Sequence, residues 1–162
     1  MTASASQVYD AIAFGSADDG IRRIGVFLAW AVNHRMLSER LEKGAASAVA
    51  RVRFRDLTGS EMLTTVCHGE LSRLHLSDLG NQFAERWYST GYLPAYERAL
   101  DEERQTGASY DATHSLDGEW ALYDRLAPEI TRAHRGPVRP EPGPAAPPAE
   151  KKRSVPWLKL VK

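Results

Sequence analysis

Five histidines and a single cysteine are the side chains in this sequence best suited to metal binding or covalent chemistry. Both kinds of site need such groups at a defined spacing, for example two histidines on one face of a helix. The closest approach to such a pattern is Cys67-His68 followed by His75. Neighbouring residues at a helix end point in different directions, and no further signature supplies a base or oxyanion donors. We therefore predict no catalytic residue, no metal site and no cofactor, with Cys67 buried as a small apolar residue and His68 in a turn before Gly69.

Aromatic residues at helical spacing are the second feature that could do chemistry. Such side chains most often form a core, but they also line ligand pockets where polar groups converge on them. Asn81 follows the small residue Gly80, and a buried amide without hydrogen-bond partners costs about 1–3 kcal/mol. We interpret Asn81 as structural first and functional second. The alternative to a packed core is an aromatic-lined pocket, whose candidate residues are Trp30, His68, Asn81, Glu85, Trp87 and Asp124.

The C-terminal segment combines cations with apolar side chains. Seven of the nine prolines lie from Pro137 onward, so residues 135–150 are typical of an extended, solvated linker. Residues 151–162 carry five basic and no acidic residues. This tail module could bind a groove of a partner protein, lie on an anionic membrane surface, or fold back onto its own domain. The contact residues would be Lys151, Lys152, Arg153, Trp157, Leu158 and Leu160.

Composition restricts the class of protein further. The 162 residues are 43% apolar and 26% charged, which is enough for one globular core. The 21 basic and 21 acidic residues cancel, whereas nucleic-acid binders usually carry a basic excess, so we expect no nucleic-acid partner. Residues 1–7 lack the pattern of a secretory signal, and the apolar stretch Val26–Val32 is too short to span a bilayer. We expect a cytoplasmic protein.

Helical periodicity dominates residues 1–134, which we predict to be one all-α domain, a compact bundle of about five or six helices. The first helix should begin near Ser16–Asp19 and end at Asn33-His34, and it is apolar nearly all round, as central helices are. A second helix is predicted from Ser38 to about Phe54. A third, Glu61–Cys67, follows a capping turn. The pattern shows no clear strand.

Three further helices are predicted towards the C-terminus. Ser77-Asp78 should cap the fourth, which Gly91 ends. The fifth should run from Leu93 to about Glu103, with Pro94 in its first turn. After a loop over residues 106–115, the last should begin at Ser115 or Asp117 and contain Pro128. The predicted inward side chains of these helices are Leu79, Phe83, Trp87 and Tyr88, then Tyr96 and Leu100, then Leu116, Trp120, Tyr123, Ala127 and Ile130.

Several blocks of the sequence also resemble one family. The stretch Ile24–Val32 resembles the signature I-G-x-F-L-A-W-A of a family of small bacterial proteins classed as a domain of unknown function. Further blocks fit in the same order: Thr58-Gly59 with Leu63, Cys67-His68-Gly69 with Leu71, Gly80–Ala84, Trp87-Tyr88, and Tyr123-Asp124. The resemblance covers roughly Tyr9 to Ile130 and departs before the first helix, where the lead-in is short and Arg23 stands where a histidine often occurs. The resemblance implies no established activity, so it supports the fold more than the function.

These observations favour a non-catalytic protein-interaction module. By analogy with other small bacterial proteins, it would be an immunity protein that neutralises a toxin, or an adaptor. Its partner would be a protein, contacted by the helical domain and by the tail module. Two alternatives stay open, an enzyme or small-molecule binder with an aromatic-lined pocket, and peripheral attachment to a membrane through the basic tail.

Overall fold

The computed structural model describes residues 8–12 and 19–136. In these residues the chain is all-α with one small two-stranded sheet, so the predicted fold class is confirmed. The predicted tail module and nearly all of the predicted linker lie outside the described residues. The chain divides into two units, Met1–Thr131 and Arg132–Lys162, and the contacts described below belong to the first. The elements are β1 (Val8–Ala11), α1 (Asp19–Asn33), α2 (Glu39–Gly44), α3 (Ala46–Arg53), α4 (Gly59–Thr65), β2 (Glu70–Ser72), α5 (Asp78–Trp87), α6 (Leu93–Gln105), α7 (Tyr110–Thr113) and α8 (Leu116–Arg135).

The central helix is α1, as its apolar sequence predicts. Every residue from Ile24 to Val32 is buried. The helix packs most extensively against α4 and also contacts α3 and both strands. Where α1 crosses α4, a Cβ added to Gly25 would lie 2.5 Å from the backbone nitrogen of Ser60, and one added to Gly59 would overlap the carbonyl oxygen of Gly25. The two glycines therefore allow the two backbones to touch.

The prediction of one helix from Ser38 to Phe54 is wrong, because the chain forms α2 and α3 instead. Ala45 separates them with φ −125° and ψ 37°, outside the helical region. Gly44 has low helix propensity, and no residue of α2 is buried, so nothing holds a continuous helix together. In contrast, α3 buries Val49 and Val52.

The expectation that the domain has no strand is also wrong. β1 and β2 pair antiparallel, with Val8 opposite Ser72 and Ala11 opposite Glu70, and the register shifts between Val8 and Asp10. Strands of four and three residues are too short to show an alternating pattern.

Helix α4 begins and ends two residues before its predicted bounds. Thr58 caps it and forms a reciprocal capping box with Glu61. The predicted turn at His68 is confirmed, since His68 and Gly69 both have positive φ, 57° and 84°, but the helix has already ended at Thr65.

Helix α5 begins after the Ser77 cap as predicted, but its inward face is different. Leu79 is 62% exposed, whereas Gly80 and Asn81 are buried beside Phe83. A Cβ on Gly80 would lie 2.6 Å from the carbonyl oxygen of Met36, so the close approach of that loop selects the inward face. Trp87 is only half-buried.

Gly91 does not end the helical path as predicted. It lies in a π-helical turn, Tyr88–Tyr92, that joins α5 to α6. A Cβ at Gly91 would overlap the indole of Trp87, so the glycine leaves room for that ring. Helix α6 then carries Pro94 in its first turn and buries Tyr96 and Leu100, as predicted.

The last two helices complete the domain. The predicted loop over residues 106–115 contains the short helix α7. Helix α8 buries Trp120, Tyr123 and Ile130 as predicted. Leu116, however, is 41% exposed, so the prediction that it points inward is wrong. Ala127 is only half-buried. Across the described residues, no helix combines the length and apolar character needed to cross a membrane.

Candidate functional site

A groove with a volume of about 510 Å³ is the candidate site. One wall comes from α2 and its cap, and the other comes from the end of α4, β2 and the 3₁₀ turn Arg73–His75. We call it the α2–β2 groove. Its lining residues are Ser38, Arg40, Leu41, Gly44, Ala45, Val66, Cys67, His68, Glu70, Ser72, Leu74 and His75.

Backbone hydrogen bonds fix the two walls relative to each other. The amide of Ser38 donates to the carbonyl of His75 at 2.9 Å, and the amide of Ser77 donates to the carbonyl of Met36 at 2.8 Å. The Ser38 hydroxyl also accepts from the amide of Leu41, which starts α2 at the edge of the groove. On the other side, the turn at His68-Gly69 directs the chain into β2, whose pairing with β1 holds that wall.

His75, which lines the groove, has a hydrogen-bonded ring that fixes its tautomer. The backbone amide of Ser72 donates to His75 Nδ1 at 3.1 Å. Because Nδ1 accepts, the proton of the neutral ring is on Nε2. Burial lowers the pKa of His75, the Glu70 carboxylate opposes that effect, and the charges of Arg40 and His68 reinforce it. The neutral ring with an Nε2–H donor is therefore the form favoured at neutral pH.

Three other polar side chains of the groove are uncommitted. Arg40, His68 and Glu70 are exposed, and their side chains make no hydrogen bond or ion pair with the residues that the structure describes. Four other arginines are instead engaged in bidentate pairs with carboxylates, namely Arg22, Arg23, Arg53 and Arg55. Arg22 contacts Glu103 at 2.8 and 3.1 Å, for example. Arg40, His68 and Glu70 thus converge on the groove without serving the fold, unlike Ser38, Ser72 and His75.

An apolar part accompanies these polar groups. Leu74 in the 3₁₀ turn is 50% exposed, and Leu41 and Val66 are half-buried in the lining. An aliphatic side chain of a bound molecule could cover this surface, at about 25 cal/mol for each Å² of apolar area removed from water.

Cys67 contributes packing to the groove rather than a reactive thiol. Its side chain is 1% exposed, and burial raises the pKa of the thiol to about 12. A nucleophilic cysteine needs the opposite environment, an exposed position beside positive charge that stabilises the thiolate. Within residues 8–12 and 19–136, no three histidine, cysteine or carboxylate side chains lie close enough together to hold a metal ion. The prediction of Cys67 as a small buried residue is confirmed.

Two of the six predicted pocket residues belong to an aromatic core. Trp30 is fully buried, and its indole lies 5.3 Å from the ring of Phe83, which in turn stacks on Trp87 at 5.4 Å. The indole nitrogen of Trp30 donates to the Thr131 hydroxyl at 3.0 Å. These rings pack against one another.

Two more of the six meet in a polar cluster beneath β1. The Tyr9 hydroxyl donates to Asn81 Oδ1 at 2.7 Å, and Asn81 Nδ2 donates to the carbonyls of Arg73 and Leu76 at 3.1 and 3.2 Å. The Arg73 guanidinium pairs with Glu85. Burial and the Glu85 carboxylate raise the pKa of Tyr9 to about 12. The structural interpretation of Asn81 is confirmed, because its hydrogen bonds join β1, the 3₁₀ turn and α5.

The remaining two of the six lie apart from these clusters. Asp124 on α8 forms a bidentate pair with Arg55 at 2.7 and 3.0 Å. The same guanidinium lies 4.5 Å above Trp120 and 5.5 Å from Tyr123. His68 lies in the α2–β2 groove, so of the six residues it is the one that the candidate site contains.

The sequence did not reveal the groove residues Arg40, Glu70, Leu74 and His75 as a set. They come from α2, β2 and the 3₁₀ turn, and each looks like an ordinary surface or turn residue in its own segment. One partial signal exists: Ser72 and His75 have the i, i+3 spacing of a reciprocal capping box, which predicts a fixed ring at His75.

Comparisons with known proteins give one family match. A family model described as Domain of unknown function (DUF7832) matches residues 15–110. No curated protein and no solved structure shows significant similarity to the chain. The matched region contains all of the residues that line the α2–β2 groove.

Proposed function

We propose that this chain, which belongs to the DUF7832 family of unknown function, is a non-catalytic protein-interaction module whose α2–β2 groove binds a partner protein. The observation that carries the proposal is the convergence of uncommitted polar side chains on one open groove. Arg40, His68 and Glu70 keep their hydrogen-bonding capacity there, beside the half-exposed Leu74. An apolar contact flanked by polar groups is the usual composition of a specific interface.

The environments of the titratable groups favour binding over catalysis. The thiol of Cys67 is protonated at neutral pH because its pKa is raised to about 12. His75 uses Nδ1 to accept the amide of Ser72, so the same nitrogen is not available as a general base. These positions stabilise the backbone around the groove and offer no activated nucleophile.

The tail module extends the same proposal. Its residues Trp157, Leu158 and Leu160, with the basic run 151–153, would make a second contact with the partner and add to the affinity through a high effective concentration. An immunity protein or an adaptor in the cytoplasm would use two such contacts, and this role rests on analogy alone. The alternative is a tail that binds an anionic membrane. In that case the protein should float with anionic liposomes in low salt and be released from them in high salt.

A second candidate function is small-molecule binding in the same groove. The cavity volume of about 510 Å³ lies within the range of about 300–1,000 Å³ that is common for ligand pockets. The aromatic-lined pocket predicted from the sequence supports this candidate less than the groove does, because Trp30 and Trp87 pack against Phe83. A small molecule that copurifies with the protein, and is lost in groove variants, would favour this candidate.

Site-specific photo-crosslinking tests the proposal. A photoreactive amino acid at position 74 places the probe in the groove, and the same residue at Leu116, which is exposed to a similar degree on α8, is the matched control. We expect the probe at 74 to crosslink one protein from a lysate of the source organism, with unlabelled protein competing, and the purified pair to form a stoichiometric complex without turnover. Equal crosslinking from both positions, or none from position 74, would contradict the proposal. A variant with serine at Trp157, Leu158 and Leu160 reports the contribution of the tail.

A further inference from the structure

The two formal charges of the α2–β2 groove are opposite, and they lie on different walls. Arg40 belongs to α2, and Glu70 belongs to β2. No ion pair links the two side chains, and neither is paired with another described residue. Both side chains line the same groove as His75. The groove therefore has a positive side at α2 and a negative side at β2.

We infer that the partner segment bound in this groove is an extended peptide with an aliphatic side chain flanked by an acidic residue on the Arg40 side and a basic residue on the Glu70 side. This inference rests on the proposed function. It commits to a peptide because each wall places an apolar side chain, Leu41 or Leu74, beside its charged one, and because charge complementarity needs two ligand charges of opposite sign.

His75 adds an uncharged polar group to the same groove. Its Nε2–H is a neutral donor at neutral pH, since Nδ1 already accepts from Ser72. A neutral donor suits a backbone carbonyl better than a carboxylate, because the pairing leaves no unbalanced charge in the partly buried middle of the groove. The peptide backbone would be held at His75, while its side chains reach Arg40 and Glu70.

The arrangement also gives the peptide one direction. A segment bound in reverse would place its acid beside Glu70 and its base beside Arg40, and like charges at close range repel. Exposed pairs contribute little each, so charge selects the sequence and orientation, whereas the aliphatic contact at Leu74 supplies most of the affinity.

Selection from a random peptide library, displayed and presented to the full-length protein, tests this inference. We expect enriched peptides to carry an acidic and a basic residue on either side of an aliphatic one. The charge reversal Arg40→Glu should replace the enriched acid by a base, and Glu70→Lys should replace the enriched base by an acid. For one purified wild-type peptide, each reversal should weaken binding about three- to tenfold.

Two matched controls reverse a charge outside the groove. Lys43→Glu changes the same helix as Arg40→Glu at a side chain that does not line the groove, and Glu97→Lys changes an exposed acid on α6. Neither should alter the enriched sequence. If peptides are lost in Leu74→Glu but show no charge preference, or if the two reversals leave the preference unchanged, the charge inference is wrong while the interaction function stands. Absence of any enriched peptide also overturns the inference, and crosslinking from position 74 then reports separately whether a partner uses the groove.

Discussion

Substitution of Gly25 by alanine is the sharpest test of how this domain is packed. In an isolated helix the change should stabilise by about 1 kcal/mol, because alanine has the higher helix propensity. Here the new Cβ would lie 2.5 Å from the backbone nitrogen and 2.7 Å from the Cα of Ser60 on α4. Ordinary contact begins near 3.4 Å, so α1 and α4 would have to separate by roughly 0.9 Å.

That separation acts on the most extensive helix contact of the domain. Ile24, Leu28, Met62 and Leu63 are all fully buried in α1 and α4, and a gap of this size forfeits a quarter to a half of the dispersion energy at each affected contact. Overpacking of this kind costs about 1–3 kcal/mol and occasionally more. The clash is with backbone atoms of Ser60, which cannot rotate away, so we take the upper end of that range, about 3 kcal/mol. The helix-propensity gain of about 1 kcal/mol offsets part of it, so we expect Gly25→Ala to lower the free energy of unfolding by about 2 kcal/mol.

Urea unfolding followed by circular dichroism at 222 nm measures the effect, and Gly44→Ala is the matched control. Gly44 lies in α2, and a Cβ there would meet no atom within 4 Å. The control should therefore stabilise the protein, by up to about 1 kcal/mol. A Gly25→Ala variant with the midpoint and slope of the wild type would refute the close crossing of α1 and α4, and with it the explanation of both glycines.

Three further predictions concern the polar groups. A double-mutant cycle between Arg55→Ala and Asp124→Ala, measured by urea unfolding, should give a coupling free energy of about 0.5–1 kcal/mol, because both side chains are about half exposed. If the losses in the free energy of unfolding of the two single mutants simply add in the double mutant, the two side chains do not interact. Glu119 accepts the amide of Ser60 at 2.9 Å, and burial raises its pKa, so its ionised form is disfavoured in the folded state. The free energy of unfolding of the wild type, relative to that of Glu119→Gln, should therefore fall as the pH rises from about 4.3 towards 7. If the difference between the two proteins does not change with pH, the Glu119 carboxylate is not buried in the folded state. The Cys67 thiol should react with a disulfide reagent only at the rate of unfolding, and rapid reaction of the native protein at pH 8 would show that the thiol is accessible.

The sequence predicts those parts of the fold that depend on interactions between residues close together in the chain. Helix α1 is predictable because residues 24–32 are apolar nearly all round, and only a central helix buries such a sequence. The starts of α4 and α5 are predictable because Thr58 and Ser77 satisfy amides within three residues of themselves. Pro94 marks the start of α6 for an equally local reason.

The sequence predictions are wrong where a contact with a residue that is not a neighbour in the sequence determines the local structure. Leu79 looks like an inward residue of α5, yet the carbonyl of Met36 approaches so closely that only Gly80 fits on the inner side. Gly91 looks like a helix end, but its missing side chain accommodates Trp87 within a π-helical turn. Such contacts join residues whose own sequence neighbourhoods carry no sign of them.

The same reasoning explains why the candidate site was largely invisible in the sequence, whereas the family resemblance was visible. The blocks that carry the resemblance include Gly25, Gly59 and Asn81, and each of these holds two or more elements together. In contrast, Arg40 and Glu70 have no partner among the described residues, so the fold places almost no demand on their identity. Substitutions at such exposed positions usually change stability by no more than about 0.5 kcal/mol. One scaffold can therefore carry different groove charges, and under the proposed function chains that share these structural blocks would differ in the partner that they bind.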